Sequence, residues 1–118
     1  MPKLLNIEEF NKFLSEFAEE NALTFAFLAT PAGGLICSNE FTNSRMVVEA
    51  ISTVWQTFPD PNWERIMFEW ESALCIVMNC NEYIFGIEQS DPNPSTLGLL
   101  KHKIAVAKNF IMKTLSEE

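Results

Sequence analysis

Three cysteines, one histidine and two glutamates spaced two apart are the residues of this 118-residue chain whose types could do chemistry. Cys75 and Cys80 are five apart, Cys37 is remote, and His102 stands alone in a lysine-rich segment. A zinc site needs ligand pairs at short spacing, of the CxxC or HxxxH kind, and the sequence has neither. A Cys or Ser nucleophile needs a base within hydrogen-bond reach, and the one candidate base is His102. Cys75 falls inside the apolar run ALCIVM, where cysteine behaves as a small hydrophobe. Glu69 and Glu71 alternate along a strand and so share a face, which suits a solvated, charge-blunted edge better than an acid–base pair. Pro31-Ala32-Gly33-Gly34, the one Gly-rich loop, lacks the Lys-Ser/Thr of a phosphate loop and leads into a strand, so no helix dipole points at an anion. The chain reads as a non-enzyme without cofactor or metal, and attention passes from reactive groups to surfaces.

Composition narrows the field further. An odd number of cysteines argues against a disulfide framework. Hydrophobic content of 47%, with ten Phe and three Trp, predicts a packed core in a single domain spanning residues 1–118. A chain of this length buries roughly two thirds of its unfolded surface. No apolar run approaches the roughly 18 residues of a membrane span. The opening MPKLLNIEEF carries two early glutamates and no long apolar stretch, which is not the pattern of a secretion signal, so a cytoplasmic location is expected. The net charge of −8 repels phosphate backbones and excludes nucleic acid as a natural partner. Residues 60–91 hold seven acidic residues against Arg65 alone, while Lys101, Lys103, Lys108 and Lys113 make the C-terminal segment basic. That basic run reads as a solvated helix face, with any membrane contact indirect.

The elements that position these residues follow from periodicity. Asn6 and Glu9 have the form of a capping box, and Ile7, Phe10, Phe13, Leu14 and Phe17 recur at helical spacing to about residue 20. LTFAFLAT (23–30) predicts a strand, the Pro-Ala-Gly-Gly turn follows, and 35–38 returns as its hairpin partner. Asn43 or Ser44 can cap a central helix that Pro59 and Pro61 stop. Alternation from Trp63 to Trp70, the continuous run 73–78 and the segment 83–88 predict three more strands, with a turn at 79–82. Gly86 inside the last strand signals a bulge or a close approach. Ser95 or Thr96 caps a final helix with an inner stripe of Leu97, Leu100, Ile104, Ala107, Ile111 and Leu115. The result is α-β-β-α-β-β-β-α: an α+β fold with a five-stranded antiparallel sheet covered by helices on both faces.

The central helix, MVVEAISTVWQTF (46–58), carries more apolar surface than its own sheet needs. Met46, Ala50, Val54 and Phe58 form one row, and Val47, Ile51 and Trp55 the next. Together they are wider than the roughly 100° stripe a helix turns toward its core. Part of that face is expected to cover the sheet and part to meet another chain. Trp is enriched among residues that dominate binding, so Trp55 is assigned to an interface, Trp70 to the core and Trp63 to a sheet rim.

The order and lengths of these elements, with VVEAISTVWQTF in the central helix and STLGLLKHKIAVAK opening the last one, resemble the roadblock (dynein light chain) family of the roadblock/longin fold, closest in look to the roadblock subunits of the Ragulator scaffold. The resemblance runs from Ile7 to Leu115. It implies that two subunits pair through their third strands, joining two five-stranded sheets into one of ten, with the central helices side by side. The residues so implicated are Met46, Val47, Ala50, Ile51, Val54 and Trp55 on the helix and Arg65, Ile66, Met67, Phe68, Glu69 and Trp70 on the strand. It also implies a non-catalytic scaffold or adaptor, homodimeric or heterodimeric with another roadblock protein, that binds or regulates a small GTPase or a second roadblock pair, on the cytosolic side of endomembranes. The alternative is a small-molecule-sensing α+β domain with a pocket between sheet and helix. That reading needs convergent polar groups in an apolar cavity, and Thr24, Asn79 and Tyr83 are the candidates.

Overall fold

A computed structural model describes residues 7–57, 63–70, 72–80 and 82–116, and at Phe41, Ile51, Trp55, Trp70, Leu115 and Ser116 it describes the backbone alone. Helix α1 (Ile7–Glu20) is followed by strands β1 (Phe25–Ala29) and β2 (Leu35–Ser38) and helix α2 (Phe41–Gln56). Strands β3 (Arg65–Trp70), β4 (Ala73–Cys80) and β5 (Tyr83–Ser90) and helix α3 (Leu97–Ser116) complete the order. The five strands form one sheet in the order β2-β1-β5-β4-β3, every pairing antiparallel.

Alternation along the strands divides the apolar residues between two faces. Ala26, Leu28, Leu74, Ile76, Met78, Phe85 and Ile87 face α1 and α3, where Phe10, Leu14, Phe17, Leu100, Ile104, Ala107 and Ile111 close over them. Phe25, Phe27, Ala29, Cys75, Val77 and Ile84 face the other way, where Val48 of α2 packs. Strands β1, β4 and β5 are apolar on both sides because helices cover both sides, and this is the expected α+β layering.

Two local features fix how neighbouring segments meet. Gly86 lies opposite Phe27 of β1, and a Cβ at Gly86 would collide with the Phe27 ring. Of the two possibilities read from the sequence, close approach is the one realised. At the end of α1, Ala22 adopts a left-handed φ of 53°, and the Leu23 N–H donates back to the Ala18 carbonyl at 2.9 Å. That is the six-to-one bond of a Schellman ending, with alanine in the place glycine usually takes.

Several boundaries differ from the sequence expectation. Strand β4 runs to Cys80, which pairs with Tyr83, so the ladder reaches into the segment 79–82 expected as a turn. Asn79 stays in the strand because its side-chain amide donates to the Trp63 carbonyl at 2.9 Å. Helix α2 begins at Phe41, earlier than expected, because the Glu40 carboxylate rather than Asn43 or Ser44 caps it, accepting from the Asn43 N–H at 2.8 Å. Ile7 is exposed rather than turned inward. At the start of α3, Thr96 gives its carbonyl to the Leu100 N–H, while its hydroxyl turns back to the Asn93 carbonyl at 3.1 Å. The expectations for Asn6, Phe58, the prolines 59 and 61, and Glu71 fall outside the described residues.

The sheet ends in two unlike edges. Strand β2 is four residues long, and its Ser38 N–H donates to the Asn11 side chain of α1 at 3.0 Å. Strand β3 is six residues long, pairs with β4 on one side, and has no strand on the other among the described residues.

Candidate functional site

Helix α2 is fixed over β1 and β2 by polar contacts at both ends. At its start the Ser44 hydroxyl is fully buried and meets the Ser38 hydroxyl at 2.6 Å. The Asn39 side chain accepts from the Ala26 N–H at 2.8 Å, anchoring the connection to β1. At the other end the Gln56 amide donates to the Pro31 carbonyl at 2.9 Å. These contacts set the rotation of the helix about its axis. The row turned to the sheet runs through Ser44 and Val48, the latter wholly buried.

Val48 belongs to neither apolar row singled out from the sequence, yet it is the residue that covers the sheet. Met46, Ala50 and Val54 consequently face outward, Met46 64% and Val54 39% exposed. Val47 lies between the two, half-buried against the same cluster as Leu35, Trp63, Ile66 and Phe68. The side chains of Ile51 and Trp55 lie outside the described residues, as does that of Trp70. Trp63 is half-buried at the margin of the cluster, a rim position.

Because α2 lies over β1 and β2, the same face of β3 is only partly covered. Ile66 and Phe68 point to that face and are half-buried. Arg65, Met67 and Glu69 point to the α1/α3 face, where Met67 is half-buried and both charges are exposed. The approach to the strand is pinned by the Asn79 N–H, which donates to the Glu64 carbonyl at 2.9 Å. An outward apolar row on α2 and an open edge on β3 thus flank one half-covered part of the sheet. The Arg45–Glu49 ion pair on α2, 3.3 Å long and solvent-exposed, adds little stability to this surface.

The reactive residues are scattered. Burial pushes the thiols of Cys37 and Cys80 up to about 11 and that of Cys75 up to about 12, with Glu88 adding to the last. All three are therefore protonated at neutral pH, the opposite of what a nucleophile needs. His102 is exposed on α3, an element that carries none of the three buried thiols. Among the described residues no group of three His, Cys, Asp or Glu could hold a metal ion, and no helix is long and apolar enough to cross a membrane. Of the polar candidates for a ligand pocket, Thr24 meets Ser90 at the surface at 2.8 Å and Asn79 holds the Trp63 carbonyl. Tyr83 packs against the α1/α3 core. They do not converge.

Comparison with solved structures places this architecture. The chain superimposes on the Roadblock/LC7 domain from Streptomyces avermitilis with a TM-score of 0.73 at 12% identity, covering 91% of this chain and 98% of that one. This is the roadblock/LC7 fold. The gliding protein MglB from Thermus thermophilus shares it, with a TM-score of 0.75 at 13% identity over 99% of this chain and 97% of the other. So does an MglB with a tetrameric arrangement, at 0.75 and 12% identity over 97% of this chain and 94% of that one. No protein-family model matches the sequence, and no curated protein matches it. The likeness is thus one of roadblock architecture retained at low sequence identity.

Proposed function

We propose that this chain is a non-catalytic roadblock-type scaffold that pairs through α2 and β3 and offers the joined platform to a small GTPase or to a second roadblock pair. The observation that carries the reading is the outward row Met46, Ala50 and Val54 on α2 together with the open edge of β3, which has no strand beside it among the described residues. Apolar side chains exposed in a row gain roughly 25 cal/mol for each Å² removed from water, and an open edge strand has unused backbone donors and acceptors for a partner strand. Both gains become available when a second roadblock domain is laid edge to edge, Ile66 and Phe68 being covered by the partner's helix. The tetrameric arrangement of a neighbour in fold supports association as a use of this architecture. The GTPase rests on the resemblance of the chain to roadblock regulators, with the acidic 60–71 segment and the lysines of α3 setting orientation. The complex would work on the cytosolic side of membranes, touching them through partners.

The test is sedimentation of the purified chain alone, of its M46D and V54D variants, and of the chain mixed with small GTPases. The native chain should sediment as a dimer and the variants as monomer or aggregate with raised exposed hydrophobicity. An unchanged dimer mass in both variants removes α2 from the interface.

A further inference from the structure

Resting on the pairing through β3 proposed above, we infer that the partner is a second copy of this same chain, joined antiparallel in one register: Met67 on the twofold axis, Arg65 of each strand opposite Glu69 of the other.

The argument starts from the charge pattern of the edge strand. Arg65, Met67 and Glu69 share one face of β3, and both charges are exposed. Within the chain their cross-strand neighbours on β4 are Met78 and Leu74, both apolar, so the sheet supplies no countercharge on that side. The two charges cannot satisfy each other, being four residues and so about 13 Å apart along one strand. Among the described residues neither side chain has an ion-pair or hydrogen-bond partner. A strand reading positive, neutral, negative at alternate positions is its own complement when a copy is turned antiparallel. Directly opposed residues in an antiparallel pair project to the same face with Cβ atoms about 5 Å apart, within ion-pair reach.

Centring the axis on Met67 forms two Arg65–Glu69 pairs at once and stacks the two half-buried Met67 side chains. On the other face, the one that α2 partly covers, the same register sets Ile66 against Phe68 twice, an aliphatic–aromatic pair. A parallel alignment in the same frame would set like charges together. A shift by one residue would turn charged positions toward the apolar face of the partner. Lys108 of α3 lines a groove with Arg65 and Glu64, so the incoming carboxylate meets two cations against one carboxylate. An unrelated partner strand has no reason to match this pattern twice.

The experiment uses sedimentation equilibrium of the full chain and of R65E, E69R and the double variant R65E/E69R. Each single variant creates two like-charge pairs and should weaken self-association about tenfold or more. The double variant should return to within about threefold of the native constant. A one-to-one mixture of R65E and E69R should associate more tightly than either variant alone, because each strand then meets its opposite charge. This last arm also excludes loss of fold as the cause. Native-strength dimers in both single variants overturn the register and leave pairing intact. Weakened singles that neither the double variant nor the mixture restores also overturn it. A native chain that stays monomeric until a different roadblock chain is added overturns the identity of the partner, and one that never associates overturns the proposed function as well.

Discussion

Ala22 holds a left-handed backbone position at the end of α1 with φ of 53°. For an L-residue with a Cβ that conformation costs roughly 1–2 kcal/mol. Glycine would avoid the strain but give back part of the gain through its greater unfolded freedom. The A22G variant should be more stable by up to about 1 kcal/mol, read as a higher denaturant midpoint at unchanged slope. A lower midpoint would mean that the alanine methyl contributes packing at this exposed site. The sequence marked the spot, since the helical pattern stops at about residue 20, but the sign of φ is set by the bond from Leu23 to Ala18 and is not written in the residue. Ile7 shows the same limit. Its spacing from Phe10 and Leu14 suits an inner stripe, yet in the first turn of α1 it is left exposed while Phe10 and Leu14 are buried.

At the level of elements, the β1–β5 pair depends on a missing side chain. Gly86 leaves room for the Phe27 ring, so G86A must push that ring from a wholly buried site. Overpacking of this kind costs about 1–3 kcal/mol, and thermal unfolding should show a Tm lowered by several degrees. An unchanged Tm would mean that the ring has room to turn aside. The count, type and order of the elements were legible in the sequence because long apolar stripes and short apolar runs differ in period. The rotation of α2 was not. Apolar residues occupy so much of that helix that either Met46 or Val48 could have faced the sheet. The choice is made by the Ser38–Ser44 hydroxyl contact and the Glu40 cap, polar details that a hydrophobic pattern does not contain. The end of β4 was hidden for a related reason. Asn79 is a turn former by type, and only its bond to the Trp63 carbonyl keeps it in the ladder.

Across the whole molecule, the three thiols are all buried. Their titration is raised in the fold, to about 11 for Cys37 and Cys80 and about 12 for Cys75, from an ordinary value of 9.0. Between those limits the unfolded chain has released protons that the folded chain retains, so stability must fall as pH rises. Urea melts should show no thiol-dependent loss below about pH 9 and a steady decline from there to pH 12 (these bounds being the ordinary and the raised values). A cysteine-free variant should lose that slope, and a slope that persists would assign it to other groups. The candidate surface was only half legible at this scale. Exposed Met46, Ala50 and Val54 agree with surplus apolar surface on the central helix, while Val48 had to be found in the fold.

If the chain pairs through β3 as proposed, the unequal borders of the sheet set how large the assembly can grow. Asn11 occupies the Ser38 amide on the short β2 border, while the β3 border has no strand beside it among the described residues. A building block with a single adhesive rim has a valence of one: two units meet and growth stops. Were both rims open, each added unit would present a fresh template and the product would be a ribbon of indefinite length. The carboxamide of Asn11 thus takes up a backbone donor that a strand added at β2 would need.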